Sequence, residues 1–197
     1  MKKFLPYIVV GIIVVIVVVL SLEQNNDGEE MGIVPDMLVD HFVSGSDLVG
    51  EGVKSSITIG SKAPNFRLET FEGKIVELDS LDKPIVIDFW AGWCPFCIDE
   101  MPDLEAVHQE FGDKVIFLGI HRSNTESVEK GEGFVTELGI TYSLLKDTTG
   151  GVYKVYSGGQ PFMPVAYFLD SDGIIVGRVL GPKTGDKIKS LVEKVLN

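Results

Sequence analysis

The sequence predicts an α/β domain with a mixed central sheet flanked by helices. The domain carries an N-terminal β-hairpin addition and is preceded by one transmembrane helix. Three observations predict this. From Ile57 onward, apolar runs of strand length alternate with segments of helical period. Two strand pairs are joined by short turns containing Glu72-Gly73 and Asp172-Gly173, so part of the sheet is antiparallel. Ahead of the domain, Phe4 to Leu22 carries no charged residue and is dense in Val and Ile.

A helix over Phe4–Leu22 spans roughly 28 Å at ~1.5 Å per residue, close to the ~30 Å hydrocarbon core of a bilayer. Lys2 and Lys3 precede it, and no Lys or Arg follows until Lys54. The positive-inside rule puts the N-terminus in the cytoplasm and the remainder outside. The competing reading is a cleaved signal peptide. The run is long for one, and no A-x-A site exists because the first Ala is Ala63, although Val19-Leu20-Ser21 is a tolerable substitute. Both readings export the rest of the chain to a compartment where disulfides persist. Three stretches follow: 1–22, a cytoplasmic stub and signal-anchor helix in the cell membrane; 23–56, an acidic extracytoplasmic linker; and 57–197, the folded domain. In the linker, Pro35-Asp36 opens a short apolar-periodic piece with Met37, Leu38, Phe42 and Val43 that reads as a short helix.

Within the domain, Phe66–Glu69 and Ile75–Leu78 alternate apolar and polar residues around Glu72-Gly73, a hairpin. Ile85–Trp90 is nearly all apolar, as a central strand covered on both faces must be. Cys94–Phe111 has helical period, with Met101, Leu104, Val107, His108 and Phe111 on one side. Val115–Ile120 is a second buried strand. Thr125–Leu138 is a helix capped by Asn124 or Thr125. Tyr142–Leu145 is a short strand and Gly151–Tyr156 a short helix. Val165–Leu169 and Ile174–Val179 form the second hairpin, and Thr184–Leu196 closes the chain as an amphipathic helix. Strand–helix–strand around the third segment is one right-handed crossover, which makes the sheet mixed.

The only two cysteines are Cys94 and Cys97, in Trp93-Cys94-Pro95-Phe96-Cys97 directly after the central strand. A C-x-x-C pair at a helix start lowers the pKa of its first thiol, and a thiolate is the nucleophile in thiol–disulfide exchange. The pair therefore reads as a reversible dithiol/disulfide couple needing no cofactor. Cys97, one turn further in, should be the less exposed and should attack the mixed disulfide formed at Cys94. Other uses fit less well. A two-residue loop is a poor structural cross-link. A zinc site needs four ligands, and only His41, His108 and His121 could add to the thiols. A copper metallochaperone using both thiols and His121 is a further alternative. The net charge of -12 argues against nucleic acid as a partner.

Two acids stand near the pair. Asp88 lies in the buried strand six residues before Cys94, where a carboxylate is costly without partners. Glu100 is one helical turn beyond Cys97. Either can accept the proton of Cys97. Met163-Pro164 precedes the strand Val165–Leu169, and a cis bond there would set the backbone of Met163 against the cysteines. The three histidines read as structural or solvent-exposed.

Asp88-Phe89-Trp90-Ala91-Gly92-Trp93-Cys94-Pro95-Phe96-Cys97 closely resembles the active-site segment of thioredoxins. Gly60-Ser61-Lys62-Ala63-Pro64-Asn65-Phe66 upstream and Glu100-Met101-Pro102 downstream resemble membrane-anchored TlpA/ResA-type redoxins. The resemblance covers roughly Ile57 to Asn197. It implies a thioredoxin-like fold, Cys94 as nucleophile, Cys97 as resolving thiol, Glu100 as the acid of this subgroup, Asp88 at the position of the buried acid of ordinary thioredoxins, and Pro164 as the cis-proline. Trp93, Pro95, Phe96, Met163 and Pro164 then border the substrate. The activity implied is reduction of disulfides in exported proteins, in cytochrome c maturation among other settings, with electrons from a DsbD/CcdA-type transmembrane donor. Pro95-Phe96 departs from the subgroup's Glu-Pro, and a Pro directly after the first Cys resembles oxidising members such as DsbA. A disulfide-forming oxidase is therefore the main alternative. The peroxiredoxin loop P-x-x-x-[ST]-x-x-C is absent before Cys94.

Overall fold

A computed structural model of the chain describes residues 57–197 and the two-residue strand β1 (Val43–Ser44). The expected transmembrane run and the rest of the acidic linker lie outside the described residues. Among the described residues no helix is long and apolar enough to cross a membrane. Val43, expected at the end of a short helix, is instead in a strand paired parallel to the start of the first hairpin, opposite Phe66.

The hairpin forms as its alternation requires. β2 (Phe66–Thr70) pairs antiparallel with β3 (Ile75–Glu77), and Gly73 takes the positive φ of 84° that the turn needs. The central strand β4 (Ile85–Trp90) is buried at every position. It is followed by α1 (Pro95–Phe111), β5 (Ile116–His121), α2 (Val128–Leu138), β6 (Ser143–Lys146) and the short α3 (Gly151–Tyr156). The chain closes with β7 (Val165–Leu169), β8 (Ile175–Leu180) and α4 (Gly185–Val195). The strand order is β1-β2-β6-β5-β4-β7-β8, with β3 on β2. β4, β5 and β6 run parallel, while β7 is antiparallel to β4 and β8 to β7. The hairpin addition docks on β6 through Glu69 opposite Lys146, whose side chains form an ion pair at 2.7 Å.

Two core layers cover β4. Ile85, Ile87 and Phe89 face one with Tyr153, Tyr156 and Tyr167. Val86 and Trp90 face the other with α1 and α4. Asp88 alternates onto the same face as Val86 and Trp90, which directs it under α1. Most boundaries fall within a residue or so of the sequence reading; the largest shift is at α2, which starts at Val128, capped by Ser127, whose hydroxyl accepts the Lys130 N–H at 3.3 Å. Thr125, the expected cap, is engaged elsewhere, as described below.

Candidate active site

β4 ends at Trp90, and four residues carry the chain into α1. Cys94 is the N-cap of that helix, with extended backbone (φ -98°, ψ 101°) and Pro95 at the first helical position. Its Sγ accepts the Cys97 N–H at 3.3 Å. Sulfur thus occupies the place of a capping oxygen, where orphan N–H groups and the helix dipole favour negative charge. Cys94 and Cys97 are joined in a disulfide. Cys97 is fully buried and Cys94 is 4% exposed, so Cys94 is the less buried residue of the pair.

The residues beside and between the cysteines, Trp93, Pro95 and Phe96, are apolar. Trp93, Phe96 and Phe162 are about half exposed, unusual for side chains of that size. Pro95 is exposed beside them. The Met163–Pro164 peptide bond is cis. Pro164 is buried, and Met163 packs into the core layer that holds both cysteines. Tyr153 fixes this loop from α3, donating its hydroxyl to the Phe162 carbonyl at 2.5 Å and to the Gln160 carbonyl at 3.1 Å. The Arg122 guanidinium lies 4.0 Å from the Tyr153 ring centre and 6.0 Å from that of Trp93. Arg122 therefore bridges Trp93, in the loop before Cys94, and Tyr153 of α3, which holds the Phe162 carbonyl.

Asp88 and Glu100 are both buried, and a residue the sequence reading missed brings them together. Lys183, in the loop after β8, places Nζ 2.7 Å from Asp88 Oδ1 and in contact with Glu100 Oε1. Its backbone N–H also donates to Glu100 Oε2 at 3.0 Å. Burial pushes both carboxyls up. For Glu100, burial and the neighbouring Asp88 outweigh Lys183 and raise it to about 8. For Asp88, burial outweighs the pull of Lys183. Burial alone would lower Lys183, but the two acids hold its ammonium charged and raise it. One ammonium balances one carboxylate. The neutral arrangement at pH 7 leaves Asp88 paired to Lys183 and a proton on Glu100. The signal for Lys183 was present: a buried acid in an apolar strand demands a cation.

His121 is also more than a bland core residue. It is fully buried at the end of β5, with Nε2 2.9 Å from Glu126 Oε1 and Nδ1 2.8 Å from Ser123 Oγ. Both ring nitrogens are thus engaged away from the cysteines, which removes the third ligand of the copper reading. His108 packs against Phe117 and Tyr142, and His41 lies outside the described residues. Among the described residues no three or more His, Cys, Asp or Glu side chains are grouped to hold a metal ion.

Comparison with known proteins gives a consistent picture. The model of the AhpC/TSA family matches residues 59–178. The thiol-disulfide oxidoreductase ResA of Bacillus anthracis is 28% identical over 144 residues, 72% of this chain and 81% of that protein. The thioredoxin-like protein YneN of Bacillus subtilis (strain 168) is 30% identical over 138 residues, 68% of this chain and 78% of that one. Among solved structures, a secreted Mycobacterium tuberculosis disulfide oxidoreductase homologous to E. coli DsbE is similar with a TM-score of 0.59 and 28% identity. That match covers 66% of this chain and 95% of the other.

Proposed function

The chain belongs to the AhpC/TSA family and has its thioredoxin-like fold, and on that premise we propose that it is a membrane-tethered, extracytoplasmic thiol–disulfide oxidoreductase that reduces disulfides of exported proteins. The observation that carries the chemistry is the Cys94–Cys97 disulfide at the N-cap of α1, in the core layer against which Met163 of the cis Met163–Pro164 bond packs. Location is supported by the sequence: Lys2 and Lys3 followed by the charge-free run Phe4–Leu22.

In the reducing direction, the Cys94 thiolate attacks a client disulfide, forming a Cys94–client bond and releasing one client thiolate. Cys97 gives up its proton and attacks Cys94 Sγ. The Cys94–Cys97 disulfide forms, and the second client sulfur leaves as thiolate. The client gains two electrons and the enzyme loses them. The buried acids beneath α1 handle the proton. In the disulfide form they hold one, on Glu100, ready for Cys97 when a donor dithiol opens the bond again. A transmembrane donor of DsbD/CcdA type is the matching electron source, and apocytochrome c is one client of the right chemistry. The reducing direction is supported by Asp99, an acid two residues after Cys97, which disfavours a thiolate at Cys94.

Purified protein should reduce insulin disulfides with dithiothreitol as electron source, and Cys94→Ser should abolish this. Cys97→Ser expressed in the native membrane should accumulate mixed disulfides through Cys94, which identifies client and donor together. A strongly oxidising potential for the couple would overturn the reducing direction and favour the oxidase alternative. Full activity in Cys94→Ser would overturn the assignment altogether.

A further inference from the structure

Glu126 and His121 form a buried titratable pair that the exchange chemistry above does not use. Glu126 lies in the segment between β5 and α2, with its side chain 5% exposed and that of His121 fully buried. Its Oε1 accepts the backbone N–H of Gly92, a short contact made two residues before Cys94. The same oxygen takes His121 Nε2 at 2.9 Å, and Oε2 faces Lys130 Nζ at 3.3 Å. His121 is held in turn by Ser123 and by ring contacts with Trp90 and Phe71, at centroid distances of 4.6 and 5.6 Å.

The geometry has a purpose at the redox loop. The Cys94 N–H closes a turn onto the Ala91 carbonyl at 3.1 Å, whereas the Gly92 N–H points to Glu126 in the β5–α2 segment. A half-buried N–H without an acceptor is destabilising, and a carboxylate is the strongest acceptor available. Gly92 also lies so close to α2 that a Cβ there would meet the Phe134 ring at 2.5 Å. One residue later, Trp93 Nε1 donates to Thr125 Oγ1 at 2.9 Å. The β5–α2 segment therefore grips consecutive residues of the loop, once through the backbone and once through a side chain.

We propose that Glu126 is a positioning residue for disulfide exchange: held by His121, its carboxylate fixes the Ala91–Cys94 loop and thereby the sulfur of Cys94 at the helix N-cap. The proposal rests on Cys94 and Cys97 being an exchanging pair. Glu126 acts as an acceptor, so Gln, whose carbonyl oxygen can take both Gly92 and His121, should substitute for it, and Ala should not.

Full-length wild type, Glu126→Gln and Glu126→Ala are compared at pH 7, well below the unfolding temperature of each. Two rates are read: reduction of the Cys94–Cys97 disulfide by dithiothreitol, and reduction of insulin by the reduced protein. Ala should be slower than Gln by ~10-fold or more in both, since displacement of a reacting atom by about 1 Å can cost ~100-fold. An Ala-to-Gln difference below about threefold, or Gln as slow as Ala, overturns the proposal; a purely structural role predicts equal rates in whatever fraction is folded. If Ala does not fold, the wild type decides through the Gly92 amide resonance. Slow hydrogen exchange and a shift that follows the Glu126 carboxyl on acidification support the clamp, while fast exchange with no such shift overturns it. A wild type that fails to reduce insulin refutes the exchange reading instead, and the amide measurement still reports on the clamp.

Discussion

Replacing Glu100 by Gln removes one titrating carboxyl from beneath the disulfide while keeping its shape and its carbonyl acceptor for Lys183. Burial and the nearby Asp88 push Glu100 up to about 8, from 4.5 for a free side chain. A group whose folded pKa is raised takes up a proton on folding. Its contribution to stability is complete below about 4.5 and is lost as the pH rises to about 8. Inside that window each pH unit costs about 1.4 kcal/mol, so wild type loses roughly 3 kcal/mol from this group between about pH 5 and pH 7. Gln has nothing to titrate. The unfolding free energy of Glu100→Gln minus that of wild type should therefore grow by roughly 3 kcal/mol over the same interval, in favour of the variant. Taking the difference removes the contribution of His121. Burial lowers the His121 pKa despite Glu126, so its effect on stability runs the other way, rising with pH. The assay is urea unfolding of the oxidised full-length protein across this pH range, followed by fluorescence of Trp90 and Trp93. A difference that stays flat with pH, or that moves in favour of wild type as pH rises, would refute the protonated Glu100. It would mean that Lys183 keeps both carboxyls ionised.

Lys183→Met leaves two buried acids with no cation. It should cost about 3–5 kcal/mol near neutral pH, with the loss shrinking in acid as both carboxyls protonate, measured by the same unfolding series. Tyr153→Phe removes the hydroxyl that holds the Phe162 and Gln160 carbonyls beside the cis bond. It should cost about 1–3 kcal/mol and slow insulin reduction while leaving the potential of the Cys94–Cys97 couple unchanged; a shifted potential would show that the loop acts on the cysteines themselves.

The parts of this site that were legible in the sequence are those written locally. β4 reads as six consecutive residues, the cysteines follow it directly, and both hairpins announce themselves through their turns. Glu126 and Lys183 carry no such mark, because what they touch is remote: Glu126 meets Gly92 across 34 residues, and Lys183 meets Glu100 and Asp88 across 83 and 95. Thr125 misled for the same reason. By type and place it is a helix cap, but its hydroxyl serves Trp93, so the helix starts at Val128 with Ser127 as cap. Burial of Asp88 does, however, imply a distant cation, and topology narrows where that cation must come from. β7 runs antiparallel to β4, and β8 antiparallel to β7, so β8 runs parallel to β4 and ends at the same end of the sheet. The chain leaving β8 is thereby delivered toward the start of α1. The first cation it carries past Leu180 is Lys183. A buried acid, a strand order and a direction are together enough to find the third member of the triad, although no single stretch of sequence contains it.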